Sequence, residues 1–270
     1  MMRSLWTAAS GMTTQQTNVD TISNNLANIN TTGYKKESAE FKTLLYQTIQ
    51  QQSYDTNGDP KPSGIQVGLG VRNSAITSLY TQGNLQETGN DYDFAIVGKG
   101  FFMVNTMDGN TAYTRNGSFQ LTNGVDGMTL STSSGYPVLD TNKNPIVIDD
   151  IYNPSEITIN ENGELCYPNA AGNSVSIGIK IGIVQYSNPS GLEKLSDSLL
   201  KETEASGAPK LEDEDANLVK SIIRQGYLEG SNVQAVDEMV SLIVAQRAYE
   251  MNSKIITATD EMMQQANNLR

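Results

Sequence analysis

The stretch NVDTISNNLANINTTGYKK, residues 18–36, decides how this chain is read. It starts with apolar residues at helical spacing. It then sets Asn24, Asn25 and Asn28 around Leu26 and Ala27, and reaches Gly33. Asn is a mediocre helix former, because its amide competes for backbone hydrogen bonds. A helix that places three amides where its packing face should lie must supply partners for them.

Upstream of that stretch the pattern is regular. Leu5, Ala8, Met12, Val19, Ile22, Leu26 and Ile29 fit an a/d seam, with Gln15 as the polar exception. Gly33 then predicts a helix stop. The other end of the chain repeats the design. No Pro or Gly occurs between Val233 and Leu269. Leu242, Tyr249, Ile256 and Met263 recur every seven residues, and so do Ala248, Ile255, Met262 and Leu269. Two adjacent rows make a broad apolar stripe. Ser231 and Asn232 offer an N-cap.

Between the ends the period falls to two. GVRNSAITSLYTQGNL, YDFAIVGKGFFMV, TAYTRNGSFQL, EITINENGEL and SVSIGIKIGIVQY are short runs separated by Gly, Asn and Pro, which predicts strands and hairpins. SNPSGLEKLSDSLLKET, residues 187–203, reads as a turn and a short helix, and the acidic run 212–215 as a solvated loop. Residues 47–64 are polar and marked by Pro60, Pro62 and Gly64, so they read either as an extended excursion or as a linker. The predicted fold is α+β. Its helices, 1–32 and 230–270, lie at the two ends of the chain. A connector at 33–70 carries the loop 47–64, and 71–229 form a β-rich region.

Composition narrows the function. A net charge of -12 argues against nucleic acid and anionic membranes as partners. With no histidine, the Ser-His-Asp and Cys-His arrangements and the commonest metal ligand are missing. A single cysteine, Cys166, rules out an internal disulfide or a thiolate zinc site, and it reads as a strand or turn residue. DTNGDPKPSGIQ, from Asp55, imitates a calcium loop but puts Pro60 where Gly is needed and Gln66 where Glu is needed. GLGVRN and GKGFFM lack the third glycine of a dinucleotide loop. The carboxylates show no spacing that demands an acid/base pair. No cofactor, metal or catalytic residue is expected. The N-terminus lacks the apolar core of a cleavable signal and reads as cytosolic unless export takes an uncleaved route.

Long helices at opposite ends of a chain can pack on the central domain. They can also stand apart from it as a pair. Such a pair keeps an apolar, amide-bearing flank that must find something outside the monomer. On that reading Asn24, Asn25 and Asn28 hydrogen-bond between copies and fix register, as a polar residue does in a coiled coil.

Several motifs together resemble the axial proteins of the bacterial flagellum, the rod and hook family. SNNLAN at 23–28 followed by TTGYKK is similar to its N-terminal signature, and EGSNVQAVDEMVSLIVAQRAYEMNSKII at 229–256 to its C-terminal one. QRAYEMNSK, LLYQTIQQ, PSGIQVGLGVR, TQGNLQETGNDYDFAIVGKGFF and AYTRNGSF look most like the distal-rod members. The likeness covers nearly the whole length and is least familiar at 122–164 and 209–221. It implies that the terminal helices, 1–32 and 230–270, pair as a coiled-coil-like domain with 71–229 as a β-rich outer domain, in a structural subunit, not an enzyme, that self-assembles into a rigid helical tube and transmits motor torque to the hook. Implied partners are many copies of itself, proximal rod and hook proteins at the tube's ends, and bushing rings where an outer membrane is present. Export through the flagellar type III apparatus, without signal cleavage, would place it in the cell envelope. Leu5, Met12, Val19, Ile22, Leu26, Leu242, Tyr249, Ile256 and Met263 are the expected packing seam. Asn24, Asn25, Asn28, Gln246 and Arg247 are the expected polar subunit contacts, although Arg247 reads equally as a snorkelling surface arginine. Gln47, Tyr54, Pro60, Pro62 and Gly64 mark a loop expected to keep the tube straight. The alternatives are a hook or proximal-rod subunit, and an enzyme or binding domain with helical oligomerisation ends.

Overall fold

Both terminal periodicities form helices: α1 is Met2–Ala27 and α2 is Ala235–Asn268. The computed structural model describes residues 2–50, 64–124, 127–149, 151–169, 173–214 and 218–268. Together with a large strand-rich middle this is an α+β fold, as the sequence predicts. The chain divides into two compact units. A helical unit comprises Met1–Ala27, Glu37–Ser78 and Gln234–Arg270, and a strand unit comprises Asn28–Lys36 and Leu79–Val233.

In the helical unit α1 and α2 lie side by side and run in opposite directions. Asn25 of α1 meets Glu238 near the start of α2, while Gly11 meets Asn252 further along. A Cβ on Gly11 would stand 2.9 Å from Asn252 Nδ2, so glycine permits the close approach. Four strands complete the unit: β1 Glu37–Thr43, β2 Tyr46–Gln50, β3 Ile65–Gly68 and β4 Val71–Ser78. β1 pairs antiparallel with β4 from Glu37↔Ser78 to Thr43↔Val71, with a register shift at Glu40/Phe41. β2 pairs with β3 from Tyr46↔Gly68, so Gln47 stands opposite Val67.

α1 has a second row that serves this ribbon: Thr7, Ser10, Thr14, Thr17, Thr21 and Asn25. Thr14 and Thr21 are buried, and each donates its hydroxyl to the carbonyl one turn back, at 2.7 Å to Ser10 O and 2.8 Å to Thr17 O. Ser10 Oγ accepts from Val71 N–H at 3.4 Å, and Thr17 Oγ1 accepts from the Asn73 amide at 2.6 Å. Small hydroxyl residues let a strand lie close to a helix without leaving polar atoms unmatched.

The strand unit centres on an antiparallel six-stranded sheet in the order Glu193–Lys194, Leu199–Lys201, Thr111–Thr114, Phe101–Asn105, Ile183–Gln185, Lys210–Leu211. Strand Phe101–Asn105 is buried on both faces. Phe102 and Val104 enter one apolar cluster with Phe94, Ile96 and Phe119, and Phe101 and Met103 enter another with Tyr113 and Val184. That double burial is why the sequence runs GFFMV without alternation. Cys166 is buried in strand Glu164–Pro168.

Two local expectations are corrected. Residues 187–203 form no α-helix. A 3₁₀ turn at Pro189–Gly191 leads into a hairpin whose arms are Glu193–Lys194 and Leu199–Lys201. Asp197 and Ser198 carry φ of 59° and 60°, the left-handed pair that a tight hairpin turn requires. The acidic run is not uniformly solvated either. Glu212 is buried and accepts from Ser221 N–H and Oγ, both at 2.7 Å, and from the Gln185 amide at 2.8 Å. Asp213 pairs with Lys180 at the surface, Glu214 is exposed, and Asp215 lies outside the described residues.

Candidate assembly surface

α2 presents two apolar rows with different fates. Along the row toward α1, Glu238, Leu242, Ala245, Asn252, Ile256, Thr259 and Met263 are buried or half-buried. Tyr249 stands in the same row at 42% exposure. The opposite row holds Val236, Met239, Val240, Ile243, Val244, Met251, Ile255 and Met262, exposed by 46–73%. Eight large apolar side chains on one face of one helix exceed what scattered surface hydrophobics supply. On α1, Leu5, Met12, Val19 and Leu26 are half-buried, Ala8 and Ile22 are buried, and Ala27 is exposed. A cleft of about 380 Å³ opens where Gln16 and Val19 face Gln246, Tyr249 and Glu250.

The amides divide. Asn25 is 1% exposed and works within the chain: its Nδ2 donates to Glu37 O at 2.8 Å and to Glu238 Oε2 at 3.2 Å, and its Oδ1 accepts from Glu37 N–H at 2.8 Å. It thereby ties α1 to the start of β1 and to α2. Asn24 is exposed and reaches Glu37 Oε2 at 3.4 Å. Asn28 belongs to the strand unit, where its Oδ1 accepts from Thr31 Oγ1 at 3.1 Å. Gln246 and Arg247 are exposed, and Arg247 pairs with Glu250 at 3.0 Å. Of the loop residues, Gln47 lies in β2 and Gly64 just before β3, while Tyr54, Pro60 and Pro62 lie outside the described residues.

Sequence reasoning missed a buried charge cluster in the strand unit. The Glu229 carboxylate accepts from Lys35 Nζ at 2.7 Å, Arg115 Nη1 at 2.9 Å and Gly83 N–H at 2.8 Å, with both cations almost fully buried. Lys35 also donates to Thr81 O at 2.8 Å, and the Arg115 guanidinium lies 5.2 Å from the Phe101 ring centre. Two cations share one anion. Burial pushes the Lys35 ammonium pKa down, against the pull of Glu229 and with a further push from Arg115. Burial likewise lowers that of Arg115. Asn232 adds a second clasp, with Oδ1 accepting from Lys36 N–H at 2.7 Å and Nδ2 donating to Leu79 O at 2.8 Å. The available signal was one charge in each signature motif, Lys35 in TTGYKK and Glu229 in EGSN, but nothing local in sequence pairs them.

Among the described residues no helix is long and apolar enough to cross a membrane, and no group of three His, Cys, Asp or Glu could hold a metal ion. Comparison with known proteins gives three family matches: "Flagella basal body rod protein" over residues 5–35, "Flagellar hook protein FlgE/F/G D1 domain" over 95–167, and "Flagellar basal body rod FlgEFG protein C-terminal" over 224–269. Among similar proteins, the flagellar basal-body rod protein FlgG of Agrobacterium fabrum is 46% identical over 97% of each chain. The protein of the same name from Borreliella burgdorferi is 45% identical over 100% of this chain and 99% of its own. That of Buchnera aphidicola subsp. Schizaphis graminum is 41% identical over the whole of both.

Proposed function

The chain belongs to the flagellar basal-body rod protein family, and from that premise we propose that it builds the distal rod by helical self-association of its terminal helices. It is a structural subunit of the flagellar basal body, where it assembles with other rod and hook components. The observation that carries the reading is the outward row of α2, eight exposed apolar residues behind an inner row already engaged with α1. A helix pair with one face satisfied and one bare is a coiled-coil module awaiting further helices. Repeated head-to-tail contacts that do not close give a helical tube. Close packing of the tube wall then carries torque, and no bond-making residue is needed.

Within this proposal Leu5, Met12, Val19, Ile22, Leu26, Leu242, Tyr249, Ile256 and Met263 form the seam of each helix pair. Asn24, Gln246 and Arg247, exposed on the helical unit, are the polar groups that meet a neighbouring copy. Proximal rod and hook proteins cap the tube's ends, bushing rings surround it where an outer membrane exists, and the type III export apparatus delivers the chain. Residues 47–64 keep the tube straight by bracing one copy against the next. The test is electron microscopy of the purified protein at rising concentration. Straight tubes support the reading, and a chain that stays monomeric at millimolar concentration defeats it.

A further inference from the structure

Trp6 is the chain's single tryptophan, and it is 74% exposed on α1. Burying an indole is worth more than burying almost any other side chain, and its N–H needs an acceptor. The α1–α2 cleft provides both. Val19 and Tyr249 form an apolar and aromatic wall, and Gln16, Gln246 and Glu250 supply side-chain oxygens at the rim. Trp6 cannot fill the cleft of its own chain. Gln16 and Val19 lie ten and thirteen residues further along the same rigid helix, roughly 15–20 Å at the α-helical rise. We propose that Trp6 of one copy seats in the α1–α2 cleft of the next, with its neighbour Arg3 turned toward Glu250.

Charge supports that occupant. Arg3 is exposed and stands three residues before Trp6, on the same helix face. The cleft carries the Glu250 carboxylate, 53% exposed and paired only at the surface with Arg247. A cationic and aromatic knob therefore meets an aromatic hole with an acidic rim. Knob and hole sit at different heights on one helix; exchanged between two copies they would close a two-fold dimer, and repeated head-to-tail, as the rod-subunit reading requires, they propagate. The inference rests on the rod-subunit reading and adds to it the residue that docks and the offset between successive copies.

The single tryptophan makes the test direct. Emission from the full-length monomer is expected at the wavelength of a solvated indole. On assembly it should shift to the blue, and acrylamide quenching should fall several-fold. Trp6→Ala should raise the critical concentration by about tenfold or more, as loss of an interface tryptophan does, and Trp6→Phe by less. Tyr249→Ala keeps the reporter but removes the wall, so its residual polymers should leave Trp6 more quenchable. Arg3→Glu should weaken assembly, and pairing it with Glu250→Arg should restore it. Wild-type polymers with unshifted, fully quenchable Trp6, or Trp6→Ala polymers at the wild-type concentration, would overturn the contact while leaving the rod reading intact. A wild-type chain that never polymerises overturns both.

Discussion

Replacing Glu229 by Gln should unfold the strand unit at a markedly lower temperature. The substitution keeps the shape of the side chain and one acceptor oxygen but leaves Lys35 and Arg115 as two buried cations with no anion between them. Breaking a buried ion pair from one side costs about 3–5 kcal/mol, because the abandoned charge stays out of water. For a unit of about 160 residues that corresponds to a fall of roughly 6–20 °C in Tm. The informative control is Lys35→Met. It removes the cation whose charged form burial already disfavours. Its loss leaves no acceptor bare: Thr81 O still accepts from the Asn232 amide at 3.3 Å, and Glu229 still accepts from Gly83 N–H and Arg115. Replacing a buried charge by an apolar chain of similar length is often close to neutral, so about 1–2 kcal/mol is expected. Scanning calorimetry of the monomer measures both variants. A Lys35→Met protein as unstable as Glu229→Gln would refute the argument that charge balance, and not packing, is what the cluster requires.

Limited proteolysis of the monomer should leave a core bounded near residues 28 and 233, since Lys35, Glu229 and Asn232 are internal ties of the strand unit. Fragments starting after Lys35 by mass spectrometry would count against those ties. Alkaline stability should fall above pH 10. Burial raises the phenol pKa of both Tyr113 and Tyr186, so the folded chain keeps protons that the unfolded chain releases. The stabilisation is complete below the unfolded value of about 10 and is lost as pH rises past it, by up to about 1.4 kcal/mol per group per pH unit. Tyr186→Phe should flatten the curve in pH-dependent melts. Asn25→Ala should raise the critical concentration for assembly, because it strips partners from the N–H and C=O of Glu37 at about 1–3 kcal/mol each; unchanged sedimentation of polymers would count against it. Deleting 51–63, which spares paired strands β2 and β3, should give assembled but bendable filaments by electron microscopy, and straight ones would reject the bracing role.

What the sequence made legible was periodicity. The heptads of both ends and the Gly- and Asn-punctuated runs of the middle follow from local pattern, and the α+β fold follows from them. The β1–β4 ribbon and the hydroxyl row it rests on were harder to see. Apolar spacing on α1 drew attention to Leu5, Met12 and Val19, while Ser10, Thr14, Thr17 and Thr21 repeat at nearly the same interval without hydrophobicity to flag them. The hairpin at 193–201 looked helical because Leu192, Leu195 and Leu199 fall at helical spacing. The left-handed Asp197 and Ser198 decide against it; Asp is among the residues that favour such a turn, but Ser is not. Glu212 and Glu229 look like surface charges until chain segments distant in sequence supply their donors.

The opening amides show how these levels combine. Asn25 lies on a packing face because the N–H and C=O of Glu37, at the start of β1, meet α1 there, and a carboxamide can match a donor and an acceptor at once. The same bonds reach Glu238 on α2, so one residue holds the helix, the ribbon and the returning chain end in register. Asn24, one position round the helix, is exposed, with its amide 3.4 Å from Glu37 Oε2. Helix rotation of about 100° per residue separates the two roles. Adjacent asparagines can therefore differ in role, one side chain tying the fold together and the next lying at the surface.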